Sequence, residues 1–432
     1  MKIAVVALGK IGLPLAVQFA SMGHKVIGAD VSADTVAKVN AADEPFPGEA
    51  QLGERLADAV DAGLLMATTD TAAAVAQSEA VVVVVPLFVD AEGVPDFEWM
   101  DAATRDVARG LQPGTLVSYE TTLPVGTTRN RFAPMLAEGS GLTIGGGFTL
   151  VFSPERVFTG RVFSDLRRYP KLVGGVDHAS ARRGVEFYQS VLEFDERDDL
   201  PRPNGVWDLG SAEAAEMAKL AETTYRDVNI GLANQFARFS ADNGIDVYQV
   251  IEACNSQPFS HIHQPGIAVG GHCIPIYPRM YLWNDPEATV VRAAREANSD
   301  MPTYAATQLE AAHGSLADQR VAVLGAAYRD GVKETAFSGV FPLVEALRER
   351  GATVHVHDPM YSDEELRHLG FEPHAIGQPA DAVVVQTDHA EYRKWSSRDV
   401  PEVRTVVDGR RALTQDNWDV NSFVVLGRAS VR

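Results

Sequence analysis

The chain begins M-K-I-A-V-V-A-L-G-K-I-G-L-P-L-A-V-Q-F-A-S-M-G-H-K-V-I-G-A-D, residues 1–30. Residues 1–8 are an apolar, β-branched run that predicts a buried strand, and the apolar, alanine-rich residues 13–21 predict a helix. Gly9 and Gly12 lie between them and predict a tight turn. A strand, a glycine turn and a helix in this order form a dinucleotide site, because a pyrophosphate binds the backbone N–H groups at the helix N-terminus.

The glycine pattern is an imperfect version of G-x-G-x-x-G, since Ala7 stands at the first glycine position. Residues 23–29 predict a second strand, which ends at Asp30. A carboxylate there accepts hydrogen bonds from an adenosine ribose and disfavours a 2′-phosphate, so NAD is expected rather than NADP. The alternative is a helix-capping turn followed by a surface aspartate. The residues expected to contact NAD in this segment are Gly9, Lys10, Ile11, Gly12 and Asp30.

The length and composition of the chain limit the classes of protein to which it can belong. At 432 residues the chain is too long for one hydrophobic core, so two or three domains are expected. Its 58 acidic and 38 basic residues give a formal net charge of −20, which makes nucleic acid and anionic membranes poor partners. Two cysteines are too few for a disulfide framework, so a cytoplasmic location is expected. The apolar runs at residues 3–8 and 80–89 are too short for a signal peptide or a membrane span.

The alternation of strands and helices continues after Asp30. Apolar runs that predict strands occur at residues 80–85, 115–119 and 148–152, with a predicted helix at 101–110. Polar segments follow two of these strands, at residues 120–128 and 153–156. Ligands of open α/β sheets bind at the carboxyl ends of strands, so both segments are candidate site segments. Either could instead be ordinary turn chemistry, because Thr, Pro and Gly mark turns anywhere.

A long helix is predicted at residues 211–241, after a composition change near residues 200–205. Apolar residues recur along it at helical spacing and predict a buried stripe. The stripe consists of Met217, Leu220, Thr224, Val228, Leu232 and Phe236. Lys219 and Thr223, four residues apart, are predicted to lie on a neighbouring face of the helix.

The C-terminal part repeats the opening theme. Residues 320–324 predict a strand before Gly325, residues 340–350 a helix, and residues 351–357 a strand ending in Asp358. Further strands are predicted at 382–386 and 405–407. The fold class is therefore α/β, with two Rossmann-like, doubly wound lobes joined by a long central helix. The predicted domains are residues 1–202, which would bind NAD, residues 203–304, which form a central helical domain with the cysteine loop, and residues 305–432, which form the second Rossmann-like lobe.

Cys273 lies in the segment Q-P-G-I-A-V-G-G-H-C-I-P-I-Y-P-R-M-Y-L, residues 264–282. A glycine pair precedes the cysteine, and Pro275 and Pro278 predict an extended loop that presents the thiol. A thiol next to His272 can become a reactive thiolate. The alternative is a small buried hydrophobe, as most unpaired cysteines are. The loop directly follows the long helix, which predicts a place in the cleft between the lobes.

Together these segments resemble the UDP-glucose/GDP-mannose dehydrogenase family, and most closely its branch that oxidises UDP-N-acetylhexosamines. The resemblance covers essentially the whole chain. It rests on I-G-L-P-L-A (11–16), T-L-P-V-G-T-T (122–128), S-P-E-R-V (153–157), A-K-L-A-E-T-T-Y-R (218–226), H-Q-P-G (263–266) and G-G-H-C-I-P (270–275).

The resemblance implies oxidation of a sugar C6 alcohol to a carboxylate by two successive NAD molecules. Cys273 would capture the aldehyde and form a thioester, and Lys219 would stabilise the oxyanion. Glu155 would activate the hydrolytic water, which Thr122 would orient. The resemblance also implies a small-molecule substrate and a homodimer formed through the long helix. Residues 203–304 would then be the dimerisation domain with the catalytic cysteine loop, and residues 305–432 would bind the substrate nucleotide.

The residues assigned by resemblance form three sets, and no metal site is predicted. The catalytic set is Cys273, Lys219, Glu155, Thr122 and Thr223. The cofactor set adds Pro86 and Thr122 to the residues of the glycine turn. The substrate set is Glu155, Arg156, Val157, Lys219, Arg226, His263, Gly266, Gly270, Tyr328 and Arg329.

Departures from the family pattern raise alternatives. Tyr277 and Thr223 stand where the family has aspartate and asparagine, and Ala336 stands where an arginine grips the nucleotide sugar. Phe259 likewise replaces an arginine of the branch, although Lys333 can offset one lost cation. These changes suggest an unusual substrate such as a nucleoside or nucleoside monophosphate, or a reaction that stops after two electrons. A further alternative is a non-catalytic NAD-binding paralogue. The presence of Cys273, Lys219 and Glu155 together argues against it, because a protein that catalyses no reaction has no chemical need for them.

Overall fold

The computed structural model describes residues 1–90 and 93–428. The chain divides into two compact units, Met1–Ala221 and Glu222–Arg432. The division falls inside one long helix, α9 (Ala212–Asp242).

The first unit is a mixed α/β layer structure, as predicted. Its strands are β1 Lys2–Val6, β2 Lys25–Ala29, β3 Leu65–Thr68, β4 Ala80–Val83, β5 Phe88–Val89, β6 Pro95–Asp96, β7 Leu116–Tyr119, β8 Thr149–Phe152, β9 Lys171–Gly175 and β10 Val206–Asp208. Its helices before α9 are α1 Gly12–Ser21, α2 Ala33–Asn40, α3 Leu52–Asp61, α4 Thr71–Ala76, α5 Glu98–Gly110, a π-helical turn Thr128–Phe132, α6 Ala133–Ser140, α7 Val162–Arg168 and α8 His178–Val191.

The main sheet of this unit has the strand order β10-β9-β8-β7-β4-β1-β2-β3. Neighbouring strands are parallel except β8 and β9, which are antiparallel. Every residue of β4 is fully buried, as expected for a sheet covered on both faces. Strand β10 begins after the predicted domain boundary at residue 202 and pairs with β9, so the sheet extends past that position. The three-domain division remains a prediction.

The predicted strand, turn and helix at the N-terminus are confirmed, and the turn is unusually tight. A Cβ atom on Gly12 would lie 1.9 Å from the carbonyl oxygen of Ala7, so only glycine fits there. Ala7 itself has a φ of 76°, a left-handed conformation that favours glycine. The alanine at the first glycine position therefore keeps the turn but adopts a strained backbone conformation.

The second unit contains the other Rossmann-like sheet. Its helices after α9 are α10 Val247–Asn255, α11 Tyr277–Asn284, α12 Thr289–Ser299, α13 Met301–His313, α14 Val340–Glu349, α15 Asp363–His368 and short 3-10 turns at Ala390–Lys394 and Gln415–Asn417. Its strands are β11 Arg320–Leu324, β12 Thr353–His357, β13 Glu372–Pro373, β14 Ala382–Val385, β15 Thr405–Asp408 and β16 Ser422–Val425. All are parallel, in the order β13-β12-β11-β14-β15-β16.

Helix α9 corrects one prediction. Leu220 and Thr224 are buried, but Met217, Leu232 and Phe236 are exposed by 37%, 43% and 37%, so the predicted stripe is not a buried one. The buried face carries polar side chains instead, namely those of Glu216, Lys219, Thr223, Asp227 and Asn234. Helical spacing shows that a helix has two faces but does not show which one packs inward. Buried polar side chains can occupy the inner face when each is hydrogen-bonded there.

None of the helices in the described part of the chain is both long and apolar enough to cross a membrane. The same residues include no cluster of three or more His, Cys, Asp or Glu side chains able to hold a metal ion.

Candidate active site

Thr122 and Glu155 lie just beyond the carboxyl ends of the neighbouring parallel strands β7 and β8. Thr122 is buried and Glu155 is partly exposed. The N–H of Glu155 donates to the carbonyl oxygen of Glu120 at 3.3 Å, which ties the two segments together. Arg156 and Val157 follow, both half-buried, and the Arg156 side chain donates to the carbonyl oxygen of Pro170. The first unit therefore brings both predicted polar segments to one edge of its sheet.

A buried lysine joins Glu155 to a second carboxylate. Nζ of Lys171, the first residue of β9, lies 2.8 Å from Oε2 of Glu155 and 2.6 Å from Oε2 of Glu120. The Tyr188 hydroxyl donates to Oε1 of Glu120 at 2.6 Å. The segments after β7 and β8, the first residue of β9 and helix α8 thus contribute to one polar cluster inside the first unit.

Burial and pairing shift the ionisation of this cluster in opposite directions. Burial raises the pKa of Glu120 to about 7, although Lys171 opposes the shift. Burial also opposes ionisation of Glu155, but the Lys171 ammonium and the N–H of Arg156 outweigh it and lower the pKa of Glu155. Glu155 is therefore held as a carboxylate beside a buried cation.

Glu216 on α9 fixes the loop that contains Thr122. Its carboxylate accepts hydrogen bonds from the N–H of Gly126 at 2.6 Å, and from the N–H and hydroxyl of Thr128 at 2.8 and 2.7 Å. Lys219, one turn further along the helix, is also buried, as is Thr223. The predicted shared face of Lys219 and Thr223 is the buried face of α9.

In the second unit, Cys273 is exposed on a loop that packs against residues 328–339. The N–H of Gly271 donates to the carbonyl oxygen of Ala336 at 2.8 Å. Gly271 has a φ of 91°, and a Cβ atom there would lie 3.0 Å from the Tyr328 ring. A Cβ atom on Gly270 would lie 2.5 Å from Cβ of Tyr328. Glycine is thus required at both positions for the loop to approach Tyr328.

The segment after Cys273 differs from the predicted extended loop. The N–H groups of Ile276 and Tyr277 donate to the carbonyl oxygen of Cys273, and helix α11 begins at Tyr277. Pro278 lies in the first turn of α11, where its missing N–H costs nothing. The thiol is therefore presented just before a helix.

A buried polar chain positions Gly266. The N–H of Gly266 donates to Oδ1 of Asn234 at 2.9 Å, and Asn234 donates in turn to Asn298 at 2.8 Å. Asn298 donates to Asp227, which lies 2.7 Å from Nε of Arg295. Burial raises the pKa of Asp227 to about 6 despite this cation. Helix α9 thus holds the H-Q-P-G segment through amide side chains.

The remaining predicted substrate residues of the second unit differ in exposure. Arg226 and His263 are half-buried, and the His263 ring lies edge-on to Tyr225 with 6.1 Å between ring centroids. Arg329 is exposed and donates to the Tyr328 hydroxyl. Lys333 pairs with Glu365, so its ammonium is already engaged. Phe259 is 93% exposed.

The glycine turn fits a dinucleotide. No atom lies within 4 Å of a Cβ placed on Gly9, so the backbone there is open to a phosphate. Lys10 is exposed and Ile11 half-buried at the start of α1, and Pro86 is exposed shortly after β4. The Asp30 carboxylate accepts from the N–H groups of Leu8 and Ser32, which orients it at the end of β2.

Sequence reasoning placed Glu120 in a candidate site segment without giving it a role, and it missed Lys171, Glu216 and Asp227 as parts of the site. A signal existed for two of them, because Glu120 directly follows a buried strand and Lys171 opens one. Charged residues at such positions are almost always paired. Glu216 and Asp227 carried no such signal, since acidic residues on a helix are usually solvated.

Comparisons with known proteins agree along the whole chain. Models of the UDP-glucose/GDP-mannose dehydrogenase family match residues 1–192 (NAD binding domain), 213–300 (central domain) and 322–415 (UDP binding domain). A UDP-N-acetyl-D-mannosamine dehydrogenase from Pyrococcus horikoshii is 34% identical over 96% of both chains.

Two solved structures show the same likeness. A UDP-D-ManNAc dehydrogenase from P. horikoshii superposes with a TM-score of 0.86 at 32% identity, over 99% of both chains. A UDP-glucose dehydrogenase from Pyrobaculum islandicum has a TM-score of 0.86 at 27% identity, over 99% of this chain and 98% of that one.

Proposed function

Because this chain belongs to the UDP-glucose/GDP-mannose dehydrogenase family, we propose that it oxidises the C6 alcohol of a UDP-N-acetylhexosamine to the carboxylate. The family makes it an NAD-dependent oxidoreductase of nucleotide sugars. The choice of an N-acetylhexosamine follows the name of the P. horikoshii relative, a UDP-N-acetyl-D-mannosamine dehydrogenase. The observation that carries the full oxidation is the exposed Cys273 thiol on its glycine-bound loop.

Bound NAD supplies the oxidant in each of the two oxidation steps. Cys273 adds to the aldehyde carbon, and the second oxidation converts this adduct into a thioester. We assign to the Lys219 ammonium the stabilisation of the oxygen on which negative charge develops. Water then attacks the thioester carbon: a C–O bond forms, the C–S bond breaks, and the electron pair leaves with sulfur. Glu155 takes the proton of that water, which Thr122 orients.

The assignment of residues to roles follows the family motifs. Thr223, four residues after Lys219, takes the hydrogen-bonding position of the family's asparagine. Arg156, Val157, Arg226, His263, Gly266, Gly270, Tyr328 and Arg329 contact the nucleotide sugar. Gly9, Lys10, Ile11, Gly12, Asp30, Pro86 and Thr122 contact NAD.

A homodimer and a cytoplasmic location complete the proposal. Tyr225, Leu232, Phe236 and Phe239 are 55%, 43%, 37% and 63% exposed and recur at helical spacing on α9. Large apolar side chains in such a row are typical of a protein interface. Neither Cys254 nor Cys273 is in a disulfide, which suits a reducing compartment.

The test is the amount of NADH formed per substrate consumed, with mass spectrometry of the product. The panel contains UDP-N-acetylmannosamine, other UDP-sugars, nucleosides and nucleoside monophosphates. Two NADH per UDP-N-acetylhexosamine and a uronic acid product would support the proposal. One NADH would indicate that Tyr277 ends the reaction at the aldehyde, and turnover of nucleosides alone would contradict the proposed substrate.

A further inference from the structure

Lys171 is shared by two carboxylates, of which only Glu155 has a role in the proposed reaction. Glu120 is fully buried and lies as close to the ammonium as Glu155 does, at 2.6 against 2.8 Å. It is bound from the other side by the Tyr188 hydroxyl, which also lies 2.7 Å from the Ser118 hydroxyl. A deeply buried carboxylate destabilises the folded protein unless a cation pairs with it. The cation here is Lys171, which is also paired with Glu155.

We propose that Glu120 is a positioning residue for thioester hydrolysis, because its charge determines, through the shared Lys171 ammonium, how tightly Glu155 is held as a base. The inference rests on the proposed function for the role of Glu155. It assigns to Glu120 no contact with substrate.

The charge balance of the cluster supports this role. Two carboxylates and one ammonium leave one uncompensated negative charge inside the protein, which one proton neutralises. Glu120 is the site that binds this proton, since burial raises its pKa whereas Glu155 has the additional N–H of Arg156 to stabilise its charge. The titratable groups that face Glu120 are Lys171, Glu155 and Tyr188.

The two protonation states of Glu120 have different consequences for Glu155. When Glu120 is neutral, the Lys171 ammonium pairs with Glu155 alone and weakens it as a base. When Glu120 is ionised, it competes for the same ammonium and adds a negative charge nearby, so Glu155 accepts a proton from water more readily. Hydrolysis is therefore expected to accelerate as Glu120 ionises, near pH 7.

Infrared difference spectra of the resting protein test the ionisation without any substrate. The wild type should show a protonated-carboxyl band that disappears as the pH rises through about 7, and Glu120→Gln should lose it. Glu216 and Asp227 are further buried carboxyls, whose pKa values are raised by burial to about 7 and about 6, so Glu216→Gln and Asp227→Asn are the controls that assign the remaining bands. If Glu120→Gln leaves the titrating band intact, the inference is wrong.

The pH dependence of kcat tests the coupling to Glu155. For the wild type, kcat should rise about tenfold between about pH 6 and 8, as one ionisation near 7 requires. Glu120→Gln should flatten this rise of kcat with pH, which is called the limb below. Tyr188→Phe removes a donor that stabilises ionised Glu120, so it should move the limb to higher pH. A merely structural role would lower kcat at every pH without changing the midpoint.

The outcomes separate this inference from the proposed function. Turnover with an unchanged limb in Glu120→Gln refutes the inference and leaves the function standing. A wild-type protein that oxidises no nucleotide sugar refutes the function and the role of Glu120 in it. Should Glu120→Gln fold poorly, an unshifted limb in Tyr188→Phe is sufficient to reject the inference.

Discussion

The N–H of Gly271 is bound to the carbonyl oxygen of Ala336 at 2.8 Å, two residues before Cys273. This bond attaches the cysteine loop to residues 328–339, where the family pattern places substrate contacts. Glycine at 271 permits it, since the residue has a φ of 91° and the Tyr328 ring lies 3.0 Å from its missing Cβ. The position of the thiol thus depends on the segment proposed to bind the nucleotide.

Gly271→Ala should displace the loop and lower kcat about a hundredfold, the order expected when a reacting group moves by about 1 Å. Gly244→Ala is the matched control, because Gly244 has a φ of 74° but open space around its Cβ position. Rates with UDP-sugar and thermal unfolding of both variants should be compared. Equal loss of activity in the two would show that strain alone is responsible.

Ala336→Arg should restore a cation to the substrate segment. An arginine paired with a phosphate contributes roughly 1.5–3 kcal/mol, so KM for a UDP-sugar should fall about tenfold or more. Ala336 is half-buried, so its side chain is partly accessible to solvent. Ala336→Gln, similar in length but uncharged, is the control. An unchanged KM in the arginine variant would mean that the diphosphate does not reach this position.

Cys273→Ser should abolish carboxylate formation but permit slow formation of aldehyde, because an alkoxide is a poor leaving group compared with a thiolate. Cys254→Ser is the control, since Cys254 is the other free cysteine and lies on α10. Mass spectrometry of the products distinguishes the carboxylate from the aldehyde. Undiminished acid yield from Cys273→Ser would exclude the thioester.

Asp358→Asn should destabilise the protein in a pH-dependent way. Burial opposes ionisation of Asp358, but His389 and the N–H groups of Ala327 and Met360 outweigh it and lower its pKa below 3.8. The stabilisation is therefore present above about pH 4 and lost as the pH falls through the lowered pKa.

The measurement is urea unfolding of both proteins at a series of pH values. The loss in the variant should be about 1–3 kcal/mol at neutral pH and should shrink below about pH 4. A difference that stays constant down to about pH 2 would show that the charge of Asp358 does not contribute.

Leu232→Glu combined with Phe236→Glu should yield monomers if α9 forms the proposed dimer interface, because buried charge opposes association. Ile376→Glu is the control, since Ile376 is 56% exposed and lies outside α9. Sedimentation analysis of the three proteins distinguishes the outcomes. A wild type that sediments as a monomer would contradict the dimer directly.

The local pattern of the sequence was sufficient for the inner strands of both Rossmann-like sheets, but the strands nearer the edges, β3, β9, β10, β13 and β16, were not predicted. Strands such as Ala80–Val83 and Arg320–Leu324 lie in short, mainly apolar runs of the sequence, and this signal is local. The tight turn at Gly12 and the end of β2 at Asp30 were predictable for the same reason. The substrate and catalytic assignments came from motif resemblance, and their roles remain to be tested.

The tertiary structure alone decided which polar residues meet. Glu120 and Glu155 follow the ends of β7 and β8, and Lys171 opens β9, so the ammonium that the two carboxylates share depends on the order of these three strands. On α9 the sequence by itself determined a helix with two faces, but only packing decided that Glu216, Lys219 and Asp227 lie inside while Leu232 and Phe236 remain exposed. The physical reason is that periodicity is a property of neighbouring residues, whereas burial and pairing depend on partners distant in the chain.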